Sequence, residues 1–408
     1  FVNDVAGARH APSWLRHVGA DFDGMTLPDI VFPAFLFIAG VSIPLSLGRG
    51  VAAGQSRLAQ LGRVLPRVLA LLVMGVVMVN GEEHDPWARG LWSTLAFAAM
   101  LLAFAVVPEA PGRARTLLRA GRWVGGAALA ALVLAHRDAD GRAIILGPLI
   151  DYTDTVWLRH SWWGILGLIG WAYLVGALVY LACGRRREWL LGATALLMAL
   201  YLAAEADLPA QLASRAWLAW AAPILAPVQA ILGWVDSHAG LGGTLGSQAG
   251  LTVAGACLGS ILAPDSDVRT PADRVRWALM FAVGLALAGL LLDTPHGINK
   301  IRATPAWCLY CASLTTTAWA LLFWLMDIRG HRRWAQVVQP AGANPLLAYL
   351  LHPFICLLVG AIGGPLASVV FSYRTLPAPF AILGSLLMAL AVVQATGWIA
   401  RAGYRLKV

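Results

Sequence analysis

Apolar residues in this chain recur in long runs near the roughly 20 residues that a helix needs to cross a bilayer. The runs fall at 26–47, 64–80, 90–107, 119–135, 163–183, 188–204, 245–263, 275–293, 306–326, 343–362 and 379–400. They are too long for strands and are separated by polar breaks, the longest at about 136–162 and 205–244, so each predicts a helix. Residues 1–7 read as the tail of one more helix. Because the sequence opens on Phe1, the upstream part of that helix is expected to lie outside it. The pattern predicts an all-α polytopic membrane protein, with about eleven spanning helices plus the remnant of an N-terminal one. Its loops are short, and one transmembrane domain is expected over 1–408. The run AWLAWAAPILAPVQAILGWV is also apolar, but Pro223 and Pro227 interrupt it. Inserting it would invert every later loop, so an interfacial or re-entrant segment near 211–235 is expected there.

Composition agrees with this picture. Charged residues make up 12% of the chain and hydrophobic ones 59%, with mean hydropathy +0.70; a soluble domain carries about 25% charged residues. Charge also orients the helices. The loops 48–67, 108–122, 184–188, 264–276 and 327–342 and the tail 401–408 form one set. They hold 20 basic and 6 acidic residues, a net +14, which leaves 10 basic and 15 acidic, a net −5, on the other side. Lys and Arg mark the cytoplasmic side, so both termini are expected there. The pI of about 9.8 then reflects topology rather than nucleic-acid binding. The 5 cysteines show no zinc spacing and no secreted disulfide framework. Many of the 18 tryptophans, Trp87, Trp92 and Trp163 among them, stand at span ends as interfacial anchors.

Ionisable groups at the edge of a span are costly, and by default they mark chemistry or transport. The conspicuous ones lie on the outward side: Asn3, Asp4, His17 and Asp29 at the first hairpin, Asn80 with Glu82 to Asp85 after the next crossing, and Asn299, Lys300 and Arg302 before 306–326. We read Glu82 to Asp85 as ordinary loop polarity. His17 is the candidate for proton transfer, since imidazole is the side chain suited to it near neutral pH. A second constellation is PAGANPLLAYLLHPF at 340–354. There Asn344 opens a helix, and His352 lies eight residues along the same face, about 12 Å deeper. A helix–helix hydrogen bond and a functional role both account for His352.

Taken together, FVN at 1–3, His17, DGMTLPDIVFPAFLFIAGVSI at 23–43, VN at 79–80, INK at 298–300, Asn344 and His352 resemble the transmembrane acetyltransferases typified by heparan-α-glucosaminide N-acetyltransferase. The D-x-V-F-P-x-F-x-F-I-x-G stretch is the specific part of the match. The resemblance implies a transmembrane acyltransferase that uses cytoplasmic acetyl-CoA to acetylate the amine of a glucosamine-type sugar across the membrane. It further implies a homodimer in the inner membrane of a bacterium, with a site open to the periplasm and no metal. Its active-site histidine falls on His17 and its functional asparagine on Asn3.

A neutral histidine can take the proton that an ammonium must lose before attacking a thioester. It can also attack first, forming an acetyl-imidazole; the sequence leaves both routes open. Asn3 would donate to the thioester oxygen as charge develops on it. Asp29 would orient His17, hold the substrate ammonium, or cap its own helix. Lys300, Asn344 and His352 are the donor-binding candidates, while Asn80, Asn299 and Asp4 are those for the acceptor sugar. O-acetylation of an envelope glycan and secondary transport are the alternatives.

Overall fold

The computed structural model describes residues 1–406 except 108–111, 139, 142, 146–157, 214, 216, 218–219, 221 and 264–265. The helices, in chain order, are α1 Val2–Ala6, α2 Leu27–Ala52, α3 Arg57–Glu83, α4 Leu91–Ala103, α5 Arg113–Ala135, α6 Gly164–Cys183, α7 Arg187–Glu205, α8 Leu208–Ala213 and α9 Ala222–Ala239. They continue with α10 Ala249–Leu262, α11 Pro271–His296, α12 Pro305–Phe323, α13 Gln339–Ala343, α14 Pro345–Ile362, α15 Gly364–Val370 and α16 Ala378–Arg401. Short π-helical turns precede α10 (Gly243–Gln248) and follow α12 (Trp324–Ile328). Two isolated bridges are the β structure among the described residues. Among the described residues, ten helices are long and apolar enough to cross a membrane. The chain is an all-α multi-pass membrane protein.

Each of the eleven apolar runs is helical, but one is shorter than expected. The run at 90–107 yields α4, which has 13 residues. At 1.5 Å per residue it is about 20 Å long, short of the roughly 30 Å hydrocarbon layer. The chain leaves the helix at Phe104 because Val106 N–H donates to Arg405 O at 2.8 Å. In the segment near 211–235, residues 214, 216, 218–219 and 221 lie outside the described residues. Over its described part, the expectation of a proline break is corrected, because α9 runs through Pro227. A proline that close to a helix start forfeits a single backbone bond. This helix is not one of the ten long, apolar helices.

Contacts group the chain into two compact units assembled from non-contiguous segments. One comprises Phe1–Arg16, Leu69–Gly167 and Arg333–Val408; the other comprises His17–Val68 and Leu168–Arg332. The chain passes between them within α3 and within α6.

The second unit is built on α10, whose residues from Ala249 to Ile261 are all buried. Its sequence AGLTVAGACLGS is dominated by small residues, and small residues let helix backbones touch. A Cβ on Gly40 of α2 would stand 1.9 Å from Thr252 O, one on Gly255 2.0 Å from Phe37 O, and one on Gly259 2.3 Å from Val41 O. No side chain fits there. The same device recurs on α6, where a Cβ on Gly176 would meet the Thr252 methyl at 2.9 Å.

In the first unit, α4 packs on α5 and on α14. Trp92 is fully buried and donates its indole N–H to Leu132 O at 2.9 Å. The ring of His136 meets Trp92 edge-on at 4.7 Å, and its Nε2 lies 3.0 Å from His84 O. His136 is completely buried and its Nδ1 has no partner among the described residues. Burial holds this imidazole below its ordinary pKa, and the positive charge of Arg159 adds to the effect.

Two outcomes follow from these packings. Gly255→Val forces side-chain atoms into the α2 backbone and should cost about 3 kcal/mol or more, whereas Gly62→Ala, with open space around it, should be neutral or stabilising. Thermal unfolding in detergent measures both, and equal midpoints would refute the backbone contact. For His136, the unfolded chain takes up a proton below about pH 6.5 that the folded chain refuses, so stability falls as pH drops. His136→Gln should flatten the pH dependence of the unfolding midpoint between about pH 7.5 and 5.5; an unaltered slope would contradict it.

Candidate functional site

The second unit brings three of the sequence-derived candidates together at the start of α2. Asp29 stands in the first turn of that helix and is fully buried. Its Oδ2 accepts from Thr26 N–H at 3.2 Å and from the Thr26 hydroxyl at 2.9 Å, and Val18 N–H approaches at 3.4 Å. The contact to Thr26 N–H is one half of a capping box, written in the sequence as T-x-x-D. The other oxygen, Oδ1, lies 2.7 Å from His17 Nδ1 and 3.3 Å from Lys300 Nζ. Capping and orienting the imidazole are therefore joint roles of one carboxylate, one for each oxygen.

This geometry assigns the His17 tautomer. Lys300 Nζ also lies 3.0 Å from His17 Nδ1. A bare Nδ1 lone pair would repel the carboxylate at 2.7 Å, so Nδ1 carries the proton and donates it to Asp29. The ammonium pairs with the same Oδ1, and its closeness to Nδ1 follows from sharing that oxygen. In the neutral ring the lone pair is then on Nε2, and the ring is 40% exposed. A buried carboxylate, an imidazole and an ammonium thus meet at one point.

Backbone contacts hold the loop that carries His17. Asn299 donates both amide hydrogens, to Ala20 O at 2.7 Å and Phe22 O at 3.2 Å, while its Oδ1 accepts from Arg302 N–H at 2.9 Å. Expected at the acceptor sugar, Asn299 serves here as a clamp. Asp23 Oδ1 accepts from Ile298 N–H at 2.7 Å, and Gly24 N–H donates to Ile298 O at 2.8 Å. Gly297 turns with φ +65, and a Cβ there would crowd Asp23 at 2.9 Å. The INK segment is thereby stitched to the 17–26 loop, which places Lys300 beside His17.

The other candidates belong to the first unit. Asp4 is buried and forms an ion pair with Arg374 Nη2, accepting also from Arg374 Nε at 3.1 Å and from the Tyr373 hydroxyl at 2.7 Å. His352 Nε2 lies 3.4 Å from Asp4 Oδ1 and 3.8 Å from Cys356 Sγ. Of the two accounts of His352, this one supplies a definite partner: a buried carboxylate shared with a guanidinium. Asn3 is exposed, and its side chain makes no hydrogen bond among the described residues. Asn80 is buried, and its Nδ2 donates to Val76 O at 2.9 Å and Arg159 O at 3.0 Å. Asn344 stands at the start of α14 without a side-chain cap bond, and its Oδ1 accepts instead from Leu406 N–H at 3.3 Å.

Several residues in these clusters were missed in the sequence. Thr26 carried a readable signal, the T-x-x-D spacing. Tyr373, Arg374 and Cys356 carried none, because they stand more than 350 positions from Asp4.

No family model matches the chain. Two curated relatives align with it over 61 residues each. Heparan-alpha-glucosaminide N-acetyltransferase of Mus musculus is 41% identical there, and the Homo sapiens protein of the same name is 39% identical. Each alignment covers 15% of this chain and 9% of the relative. A match of that extent supports a distant link between the chain and that family.

Proposed function

We propose that the chain is a membrane acetyltransferase in which His17 is the catalytic base, moving an acetyl group from acetyl-CoA to the amine of a glucosamine-type sugar. The observation that carries this reading is the contact of 2.7 Å between His17 Nδ1 and the buried Asp29, which selects the Nδ1–H tautomer and so places the lone pair of the neutral ring on Nε2. The distant link to named N-acetyltransferases supports the reaction class. The positive balance of the loops assigned to the cytoplasm supports inward-facing termini and a donor that arrives from inside. Acceptor and His17 are then on the outward, periplasmic side of an inner membrane.

In this reading Nε2 takes a proton from the acceptor ammonium, and the freed amine attacks the thioester carbon. The carbon–sulfur bond breaks, the acetyl group stays on nitrogen, and the sulfur leaves as a thiolate that is protonated in turn. Asp29 stabilises the imidazolium that forms and keeps the ring in its tautomer, as carboxylates do beside histidine bases. The Lys300 ammonium offers a positive charge within the same cluster for the developing oxyanion or the departing sulfur. The two-step route through an acetyl-imidazole uses the same Nε2 as nucleophile.

His17→Ala should lower acetyl transfer from radiolabelled acetyl-CoA to glucosamine by about 100- to 10,000-fold, while the protein still unfolds cooperatively at a midpoint lowered by the loss of one partner of Asp29. Turnover like that of the wild type would rule the mechanism out. Asp29→Asn should also lower kcat, because an amide can present its oxygen to Nδ1–H but supplies no charge to the imidazolium. N-acetylglucosamine in place of glucosamine tests O-acetylation, since its nitrogen is already blocked.

A further inference from the structure

At the far end of α2 the second unit contains a cavity of about 470 Å³, a size typical of small-molecule sites. Gln55 lines it from the turn before α3 and Arg57 and Gln60 from the start of that helix; Tyr180 lines it from the end of α6, Arg186 from the turn after it and Trp189 from the start of α7. The two segments that frame it, 48–67 and 184–188, comprise helix ends with the turns between them and hold seven arginines and one glutamate.

Four features of this cavity call for a ligand. Gln60 is 1% exposed, yet its Oε1 has no hydrogen-bond partner among the described residues. A buried amide oxygen left bare costs about 1–3 kcal/mol, and a donor from a ligand would remove that cost. Arg57 and Arg186 are exposed, and neither guanidinium makes a hydrogen bond or ion pair among the described residues. The first turn of α7 has no side-chain cap, so its free N–H groups add to the attraction for anions. Trp189 presents a large exposed indole at the rim. Arginines and a helix start suit phosphate, the indole suits a flat base, and Gln60 Oε1 suits an exocyclic amine.

We propose that this cavity binds the phosphorylated nucleotide end of the acyl donor, with Arg57 and Arg186 on its phosphates, Trp189 against its base and Gln60 on the amino edge of that base. The assignment deepens the acetyltransferase reading and rests on it for the identity of the donor as a coenzyme A thioester. A lipid headgroup would satisfy the arginines but offers nothing flat for Trp189. The placement has a geometric counterpart. Gly50, whose Cβ would stand 3.4 Å from Gln60 Oε1, and Asp29 are 21 residues apart on α2, a separation of about 30 Å along the axis. The donor's charged end and its thioester would then be served by opposite ends of one helix.

The test uses adenosine 3′,5′-bisphosphate, with adenosine and inorganic phosphate as controls, on the full chain in nanodiscs by calorimetry. The bisphosphate should bind more tightly than either control, and the double variant Arg57→Ala/Arg186→Ala should weaken it by at least about tenfold. Trp189→Ala and Gln60→Leu should each weaken it too, and His17→Ala should not. Unchanged affinity in the double variant, or binding no tighter than phosphate alone, overturns the proposal. So does affinity that survives in phosphatidylcholine discs but is lost to competition in phosphatidylglycerol discs, which would give the arginines to a lipid. The two readings fail separately. Arginine-dependent binding without acetyl transfer would sink the reaction and keep the site. Transfer with an unaltered KM for acetyl-CoA in the double variant would do the reverse.

Discussion

A carboxylate with no exposure to solvent must be fully paired, and at Asp29 that requirement organises everything nearby. Its two oxygens are met by backbone, hydroxyl, imidazole and ammonium groups drawn from three stretches of chain. Removing such a charge from water costs several kcal/mol, recovered only when the remaining lone pairs are also satisfied. The loop before α2 therefore cannot settle until His17 and Thr26 are in place, nor the turn before α12 until Lys300 is. The groups that could do chemistry are thus the groups that complete the packing.

Asp4 meets the same demand with different partners. Arg374, Tyr373 and His352 surround it, and Cys356 touches both His352 and Arg374. Arg374 also lies over the Phe371 ring at 4.4 Å, a face that favours a guanidinium. One polar network in each unit ties a short N-terminal stretch of that unit to segments far along the chain.

Much of the architecture was legible because bilayer physics writes itself into composition: a spanning helix needs an apolar run, and each run became a helix. What the runs concealed was where they stop. Residues 104–107 continue the hydrophobicity of α4, yet the chain turns at Phe104 to pair with the C-terminal tail, a contact no local pattern encodes. The GMTLPD motif placed Asp29 at a helix start, and the capping geometry followed. Lys300 beside His17 was unreadable as a distance, since 283 positions separate them. Asn80 and Asn299 drew notice as polar groups at span ends. Such amides serve backbone carbonyls as readily as ligands, and here they do the former.

The glycine contacts between α2 and α10 have a mechanical consequence. Helices joined backbone to backbone have no layer of rotatable side chains between them, so neither can slide or roll without collision. α2 consequently behaves as a strut of fixed length, and whatever is held at one end keeps a set distance from whatever is held at the other. A molecule engaging both ends would be selected for reach before any atom of it was recognised.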